Sequence, residues 1–265
     1  MTGGEAEMDR ARRLVASAER IVVLTGAGVS AESGVPTFRG EDGLWQSHRP
    51  EELATPQAFR RDPALVWSWY AWRRERVAEC RPNEGHRALA RLALLRDGVT
   101  LVTQNVDGLH TVAAEEEAEK LGVGPEPAIP WELHGSVFRL RCSSCEYREE
   151  HRVPEEPEPV EPLHCPECRG LLRPDVVWFG EMLPATALDG AFQAAREADL
   201  ALAVGTSAMV HPAASVPLVT ADAGGTVLEV NPDATPLSRV ASLALRGPAG
   251  ELLPELLSSE VTPQG

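Results

Sequence analysis

Apolar residues in this 265-residue chain recur in two rhythms. The first is a short uninterrupted run. Ile21-Val22-Val23-Leu24 holds four apolar residues, three of them β-branched, and suits a parallel strand covered on both faces. Residues 99–103, 200–204 and 226–230 repeat it. Residues 176–180 read as a further strand, 240–245 as a last short one, and 137–141 alternates like a half-buried strand. The second rhythm is helical. Ala11, Leu14, Val15 and Ala18 share a face over 8–20, as do Ala88, Leu89, Leu92 and Leu95 over 84–96. A stretch punctuated by Pro50, Pro56 and Pro63 leads to the strongest helix of the region, over 63–78. Its apolar face is read as Leu65, Val66, Trp69, Tyr70, Trp72 and Val77. Further helices are predicted over 185–198, beyond Pro212 to 222, and over 250–257. The acidic run 115–120 reads as a solvated face or loop.

Strands alternating with helices from Ile21 onward predict an α/β fold with a parallel, doubly wound sheet. The strands run into loops of small and polar residues at 25–30, 104–107, 205–207 and Asn231. Ligands of open parallel sheets bind at the carboxyl ends of the strands, so four such loops point to a dinucleotide. In the first loop, Gly26 and Gly28 can take positive φ and let a ligand approach closely. Ser30 is expected to cap the following helix. A strand, a Gly-x-Gly turn and a helix start together make an anion site suited to a pyrophosphate. The third fingerprint position is Ala31, which the looser form allows. Residues 34–39 form a second loop that carries Phe38 and Arg39.

Charge and cysteines narrow the picture. The formal net charge of −15 argues against general affinity for nucleic acid. No apolar run reaches the roughly 18 residues of a spanning helix. Residues 1–13 are polar with no apolar signal segment, so a cytoplasmic location is expected. Cys142-x-x-Cys145, nineteen residues, then Cys165-x-x-Cys168 is the two-knuckle spacing of a tetrahedral thiolate zinc site. Four thiolates leave no open coordination position, so the zinc is expected to be structural. His151 and His164 stand nearby, but the cysteines suffice. Residues 154–162, nearly all Glu and Pro, cannot build a core and read as a mobile loop. Cys80 reads as a small buried residue.

His134, before Gly135, is the candidate general base, with His110 a rival that better suits holding a loop. Asn105 and Asp107 offer an amide and a carboxylate two residues apart after a strand; an Asx turn is the alternative.

The ordered set Gly26-Ala27-Gly28-Val29-Ser30, Gly34-Val35-Pro36-Thr37-Phe38-Arg39, Thr103-Gln104-Asn105-Val106-Asp107, His134-Gly135, the two Cys-x-x-Cys pairs, Phe179-Gly180-Glu181 and Gly205-Thr206-Ser207 resembles the sirtuins, NAD-dependent protein lysine deacylases. The resemblance runs from about residue 15 to 255. It implies a Rossmann-like NAD-binding domain (8–40, 80–136 and 174–260). A smaller module is built from a helical insertion (41–79) and a zinc ribbon (137–173). It implies NAD contacts from Gly26, Ala27, Gly28, Ser30, Phe38, Arg39, Trp45, Gln104, Asn105, Asp107, Gly205, Thr206, Ser207, Asn231 and Ala249. Residues 177–181, among them Val177, Phe179, Gly180 and Glu181, resemble the strand that pairs with the substrate backbone. By the same resemblance the acyl oxygen attacks the ribose as nicotinamide leaves, with Asn105 and Asp107 holding the nicotinamide amide. His134 then acts as general base on a ribose hydroxyl. The products would be nicotinamide, free lysine and 2'-O-acyl-ADP-ribose.

Tyr70 and Arg73 are three apart on the 63–78 helix and share a face. Taken as residues alone, they are as well read as a surface contact. Their position resembles the Tyr-x-x-Arg pair of the class III sirtuins, which remove succinyl, malonyl and glutaryl groups. Ala54 resembles the small residue that opens their acyl pocket. The expected partners are acyl-lysine proteins, with no nucleic acid and no membrane, and the chain is expected to be a monomer. Two other readings stay open: a protein mono-ADP-ribosyltransferase using the same NAD site, and a zinc-stabilised NAD-binding interaction module. His134, Asn105 and Asp107 together count against the second.

Overall fold

A computed structural model describes residues 3–36, 50–154 and 159–260. The central sheet has six strands in the order β3-β2-β1-β7-β8-β9, all parallel. They are β1 (Ile21–Thr25), β2 (Val99–Thr103), β3 (Trp131–Glu132), β7 (Leu200–Val204), β8 (Thr226–Val230) and β9 (Leu243–Leu245). The apolar runs form strands because both faces of the sheet are covered. Ile21 and Val23 of β1, with Leu200, Leu202 and Val204 of β7, join one core cluster. It is closed by α1 (Gly3–Ser17), α6 (Glu84–Leu95), α7 (Leu109–Leu121) and α10 (Ala249–Leu257). Val22 and Leu24, with Ala201 and Ala203, face α8 (Ala185–Glu197) and α9 (Val216–Asp222) on the other side. There α8 lies over β1, β2 and β3 and α9 over β7 and β8, in a core rich in alanine that includes Ala191, Ala195, Ala201 and Ala203.

A second sheet is antiparallel, in the order β5-β4-β6, with β4 (Gly135–Cys142), β5 (Arg148–Glu150) and β6 (Leu172–Val176). Beside it lie α3 (Pro50–Leu53), α4 (Pro56–Arg61) and α5 (Pro63–Ala78). Each of these three helices opens on a proline, which suits the first helical turn because its missing N–H would be unbonded there anyway. Thr55 and Asp62 cap the second and third by accepting from Ala58 N–H and Leu65 N–H.

Four expectations need correction. On α5, Leu65 and Trp72 lie outside the buried face, which instead includes Trp67, Arg73 and Arg74. The helix is covered on two sides. Trp69, Tyr70 and Val77 meet one core cluster, while Trp67 packs on Leu140 and Leu172 of the second sheet. The acidic run 115–120 is neither loop nor wholly solvated. It is the latter half of α7, and Glu117 is buried where Arg91 (2.6 Å) and Lys120 (2.6 Å) meet its carboxylate. The strand expected at 176–180 ends where it was to begin, because β6 loses its β4 partner at Val176↔Gly135. Cys80 is half-buried, its thiol on the Arg76 carbonyl at 3.4 Å.

Candidate active site and metal centre

The strand order reverses between β1 and β7, so a crevice opens above their carboxyl ends. Two loops meet there in backbone contact. Gly26 N–H donates to Val204 O (3.0 Å), and Gly28 N–H to Gly205 O (2.8 Å). A Cβ on Gly26 would stand 2.8 Å from Gly205 O, and one on Gly28 would stand 2.8 Å from Gly205 Cα. These two glycines are therefore required by loop-on-loop packing. Neither uses its freedom to take positive φ; Gly205, with φ +57°, does. Ser30 is not a cap either. The short helix α2 (Gly28–Ala31) has its cap position three residues earlier, at Ala27, and Ser30 is buried within it.

The loop after β7 is tied to its neighbours through Thr206. Its hydroxyl accepts from Gln104 Nε2 (2.8 Å) and its carbonyl from Asn231 Nδ2 (2.9 Å). Ser207 is exposed beside it, and Ala249 is buried at the start of α10. All four predicted loops, and the head of α10, thus converge on one edge of the sheet.

Beneath the crevice lies a buried polar network. Asn83 N–H donates to His86 Nδ1 (3.3 Å), so the imidazole carries its proton on Nε2 and donates to Ser30 Oγ (3.2 Å). Asn105 Nδ2 also donates to Ser30 Oγ (3.1 Å), and the Ser30 hydroxyl bonds the carboxylate of Asp107. Asp107 accepts from Leu109 N–H as well (3.0 Å), an Asx turn that starts α7. Burial pushes the Asp107 carboxyl up, against the pull of Leu109 N–H, Ser30 and Arg73. His110 Nε2 lies 2.9 Å from Thr25 Oγ1, whose hydroxyl donates to Thr103 Oγ1 (2.8 Å), so His110 ties the ends of β1 and β2 together. Burial holds His110 neutral, pushed down to about 4, and holds His86 well below the usual histidine range.

His134 follows β3 on a half-buried turn. Its Nδ1 lies 2.9 Å from Gln104 O, and a carbonyl only accepts, so the ring proton sits on Nδ1. Nε2 is left as a lone-pair acceptor with no partner among the described residues. Burial lowers the His134 pKa. The Asn105 Oδ1 likewise accepts no hydrogen bond from the described residues. Backbone loops packed without side chains, a dipole-lined edge and these open acceptors fit a dinucleotide whose amide and ribose hydroxyls need partners.

The acyl-pocket candidates come together on the other side of the crevice. Tyr70 and Arg73 are both buried, and burial pushes the Tyr70 phenol up to about 12 and the Arg73 guanidinium down to about 10. Phe179 N–H donates to Ala54 O (2.9 Å) and Val177 N–H to His134 O (2.9 Å), so residues 177–181 bridge the helices and the candidate base. Gly180 takes φ +85° at the turn. The Glu181 carboxylate is already engaged by Arg173 (2.9 and 2.8 Å) and Trp178 N–H (2.9 Å). Phe38, Arg39 and Trp45 lie outside the described residues, as do residues 155–158 of the Glu/Pro loop.

The four cysteines form one cluster, their Sγ atoms all within 4.8 Å of one another. Cys142 and Cys168 stand 3.4 Å apart, Cys145 and Cys165 3.6 Å. Thiolates around a tetrahedral zinc stand about 3.8 Å apart, given Zn–S near 2.3 Å. Ser144 N–H and Gly170 N–H point at Cys142 and Cys168 Sγ (3.3 and 3.4 Å), as donors to thiolates do. The set fits one closed zinc site. His164 is turned away to Arg169 O at 3.0 Å.

Sequence reasoning missed His86, Thr25, Thr103, Arg173 and Trp178. Thr25, Thr103 and Trp178 lay inside stretches already singled out, and His86 left a trace as the third helical residue after the Asn83 cap.

A profile of the Sir2 family matches residues 26–212. The NAD-dependent protein deacylase of Thermococcus kodakarensis is 48% identical over 254 residues, 94% of each chain. A solved mutant Sir2 homologue–ADP-ribose complex superposes with a TM-score of 0.85 at 47% identity, covering 96% of both chains. A Sir2 homologue–NAD complex superposes at 0.84 and 47% identity, covering 95% of this chain and 93% of that one. With a family match over most of its length and a relative this similar end to end, the chain belongs to the Sir2 family, the sirtuins.

Proposed function

We propose that this chain removes succinyl and malonyl groups, and acetyl groups as well, from protein lysines, giving nicotinamide and 2'-O-acyl-ADP-ribose. The coarser activity follows from the family: the chain is an NAD-dependent protein deacylase with one zinc-binding cysteine cluster. NAD, when bound, supplies a ribose carbon from which nicotinamide departs.

The chain's own residues then have these roles. The glycine loops after β1 and β7 hold the phosphates against backbone N–H groups. Asn105 and Asp107, fixed through Ser30, orient the nicotinamide amide. Gln104 and Asn231 fasten the loop that carries Thr206 and Ser207 beside the adenosine half. His134 Nε2 takes the proton of a ribose hydroxyl. Its lowered pKa keeps it neutral and ready to do so at neutral pH. Residues 177–181 pair with the substrate backbone. Their N–H groups at 177, 178, 179 and 181 already serve the protein, so pairing falls to Gly180 N–H and the backbone carbonyls. The division into an NAD-binding unit (8–40, 80–136, 174–260) with insertions at 41–79 and 137–173 belongs to the same reading, as does a cytoplasmic monomer. Among the described residues no helix is long and apolar enough to cross a membrane.

One observation carries the acyl specificity. A buried cation and a buried phenol stand side by side on α5, with Phe179 held to Ala54 across from them. A guanidinium offers a fork of five N–H donors, and a carboxylate on the acyl chain can accept a charge-assisted hydrogen bond from it. Such a bond contributes roughly 1.5–3 kcal/mol, or about 10- to 150-fold in preference. Arg73→Met should therefore lose that factor in kcat/KM on a succinyl-lysine peptide and far less on the acetyl peptide. Equal losses on both substrates would contradict the acyl reading.

A further inference from the structure

We propose that Trp178 is a positioning residue for acidic acyl groups, acting through Tyr70: its indole N–H fixes the direction of the Tyr70 hydroxyl proton. The assignment rests on the acyl reading above and adds to it a residue on another element.

Trp178 follows β6 and is buried. Its Nε1 donates to Tyr70 Oη at 3.0 Å. A phenolic O–H lies near the plane of its ring and has two orientations, one to each side. The indole N–H fills the lone pair on one side, so the phenol proton is driven to the other. Among the described residues that proton finds no acceptor. A buried donor left in this state costs free energy unless a ligand supplies the acceptor. The phenol keeps its proton at neutral pH, since burial holds its pKa at about 12. Arg73 lies one helical turn along on the same face. Tyr70 O–H and Arg73 thus form a two-donor set suited to one carboxylate. An acetyl group has no oxygen to place there beyond its amide carbonyl.

The indole is itself held. The Arg173 guanidinium lies over it, 3.8 Å from the ring centroid, and Phe59 packs 5.4 Å away. Arg173 donates to both Glu181 oxygens at 2.9 and 2.8 Å, and Glu181 accepts Trp178 N–H at 2.9 Å. A clamp from β6 therefore sets a ring that in turn sets a proton on α5. Orienting that proton in advance spares the substrate the cost of doing so.

The test uses the full chain with Trp178→Phe, which keeps a ring and removes the N–H, and with Tyr70→Phe. The readout is the ratio of succinyl to acetyl kcat/KM. Trp178→Phe should lower that ratio about tenfold, mainly through KM of the succinyl peptide, a bond's worth for a charged acceptor. The double variant should lower it no further than Tyr70→Phe alone, because both act through one hydroxyl. An unchanged ratio, or losses that multiply, would overturn the assignment while leaving the acyl reading standing. Wild-type chain inactive on succinyl-lysine would overturn both. Where Trp178→Phe does not fold, the indole N–H resonances of wild type and Tyr70→Phe answer the same question. One indole proton should lose protection in Tyr70→Phe, and no change in any of them would sink the proposal.

Discussion

Three histidines at this site are held neutral, each for a reason that distance along the chain conceals. His110 reaches Thr25 across 85 positions and His86 reaches Ser30 across 56. His134 instead gives its Nδ1 proton to a backbone carbonyl and keeps Nε2 open. Their folded pKa values are depressed, so below about 6.5 the unfolded chain binds protons that the folded chain refuses. Stability contributed this way is complete above 6.5 and is lost as pH falls, toward about 4 for His110. Each fully uncompensated proton costs about 1.4 kcal/mol per pH unit. Asp107, whose pKa burial raises, acts with the opposite sign over its own range above 3.8. Urea unfolding should therefore show midpoints that decline steadily from pH 7 to pH 5. A flat profile across that range would contradict the buried-neutral description. Of these groups, His134 was legible in the sequence from its Gly135 neighbour and its place after the proline loop. Ser30 was legible as a site residue but not in its setting, since its partners come from α6 and the loop after β2.

At the scale of elements, β4 and β6 join the candidate base to the metal cluster. Gly135 pairs with Val176 beside His134, and Cys142 pairs with Leu172 beside the metal cluster. The zinc-binding end and the candidate base thus lie at opposite ends of one strand pair. The second sheet's own core is small, built from Trp67, Leu140, Leu172 and two of the cysteines. The metal must supply much of its folding free energy. Purified chain should carry one zinc. Stripping it with a strong chelator should expose the amides of β4–β6 to hydrogen exchange while β1, β2, β7 and β8 stay protected. Activity should fall with the metal, because His134 and residue 177 share the strand pair. A chain that keeps β4–β6 protected without zinc would contradict this. The cysteine spacing made the site readable in advance. The end of β6 was not readable: Val177, Trp178 and Phe179 have strand-forming side chains, but no neighbouring strand remains for them to pair with. The acidic run was misread for a related reason. Arg91 on α6 meets Glu117 across the helix pair, and that charge is invisible in the local pattern.

Across the whole molecule, a parallel sheet with ligand loops on one edge follows from the alternation of apolar runs and helical faces, while the number and order of the strands do not. That alternation gave the parallel sheet and the edge on which ligands gather. Strand β3, two residues long, left no periodic signal. The roles of the glycine loops also shifted. The sequence marked Gly26 and Gly28 as places of close approach, and the close neighbour is the loop at Gly205. A net charge of −15 leaves the buried Arg73 in an acidic protein, where a second acidic group is attracted only if the pocket is built for it. The most direct measurement gives NAD and matched acetyl-, succinyl- and malonyl-lysine peptides to wild-type chain and to His134→Ala, with nicotinamide, free lysine peptide and the ADP-ribose product followed together. The account predicts equimolar nicotinamide, deacylated peptide and free acyl-ADP-ribose from wild type, a higher kcat/KM on the succinyl and malonyl peptides, and no turnover by a folded His134→Ala. Turnover of the acetyl peptide alone, or ADP-ribose attached to protein in place of the free acylated product, would contradict it.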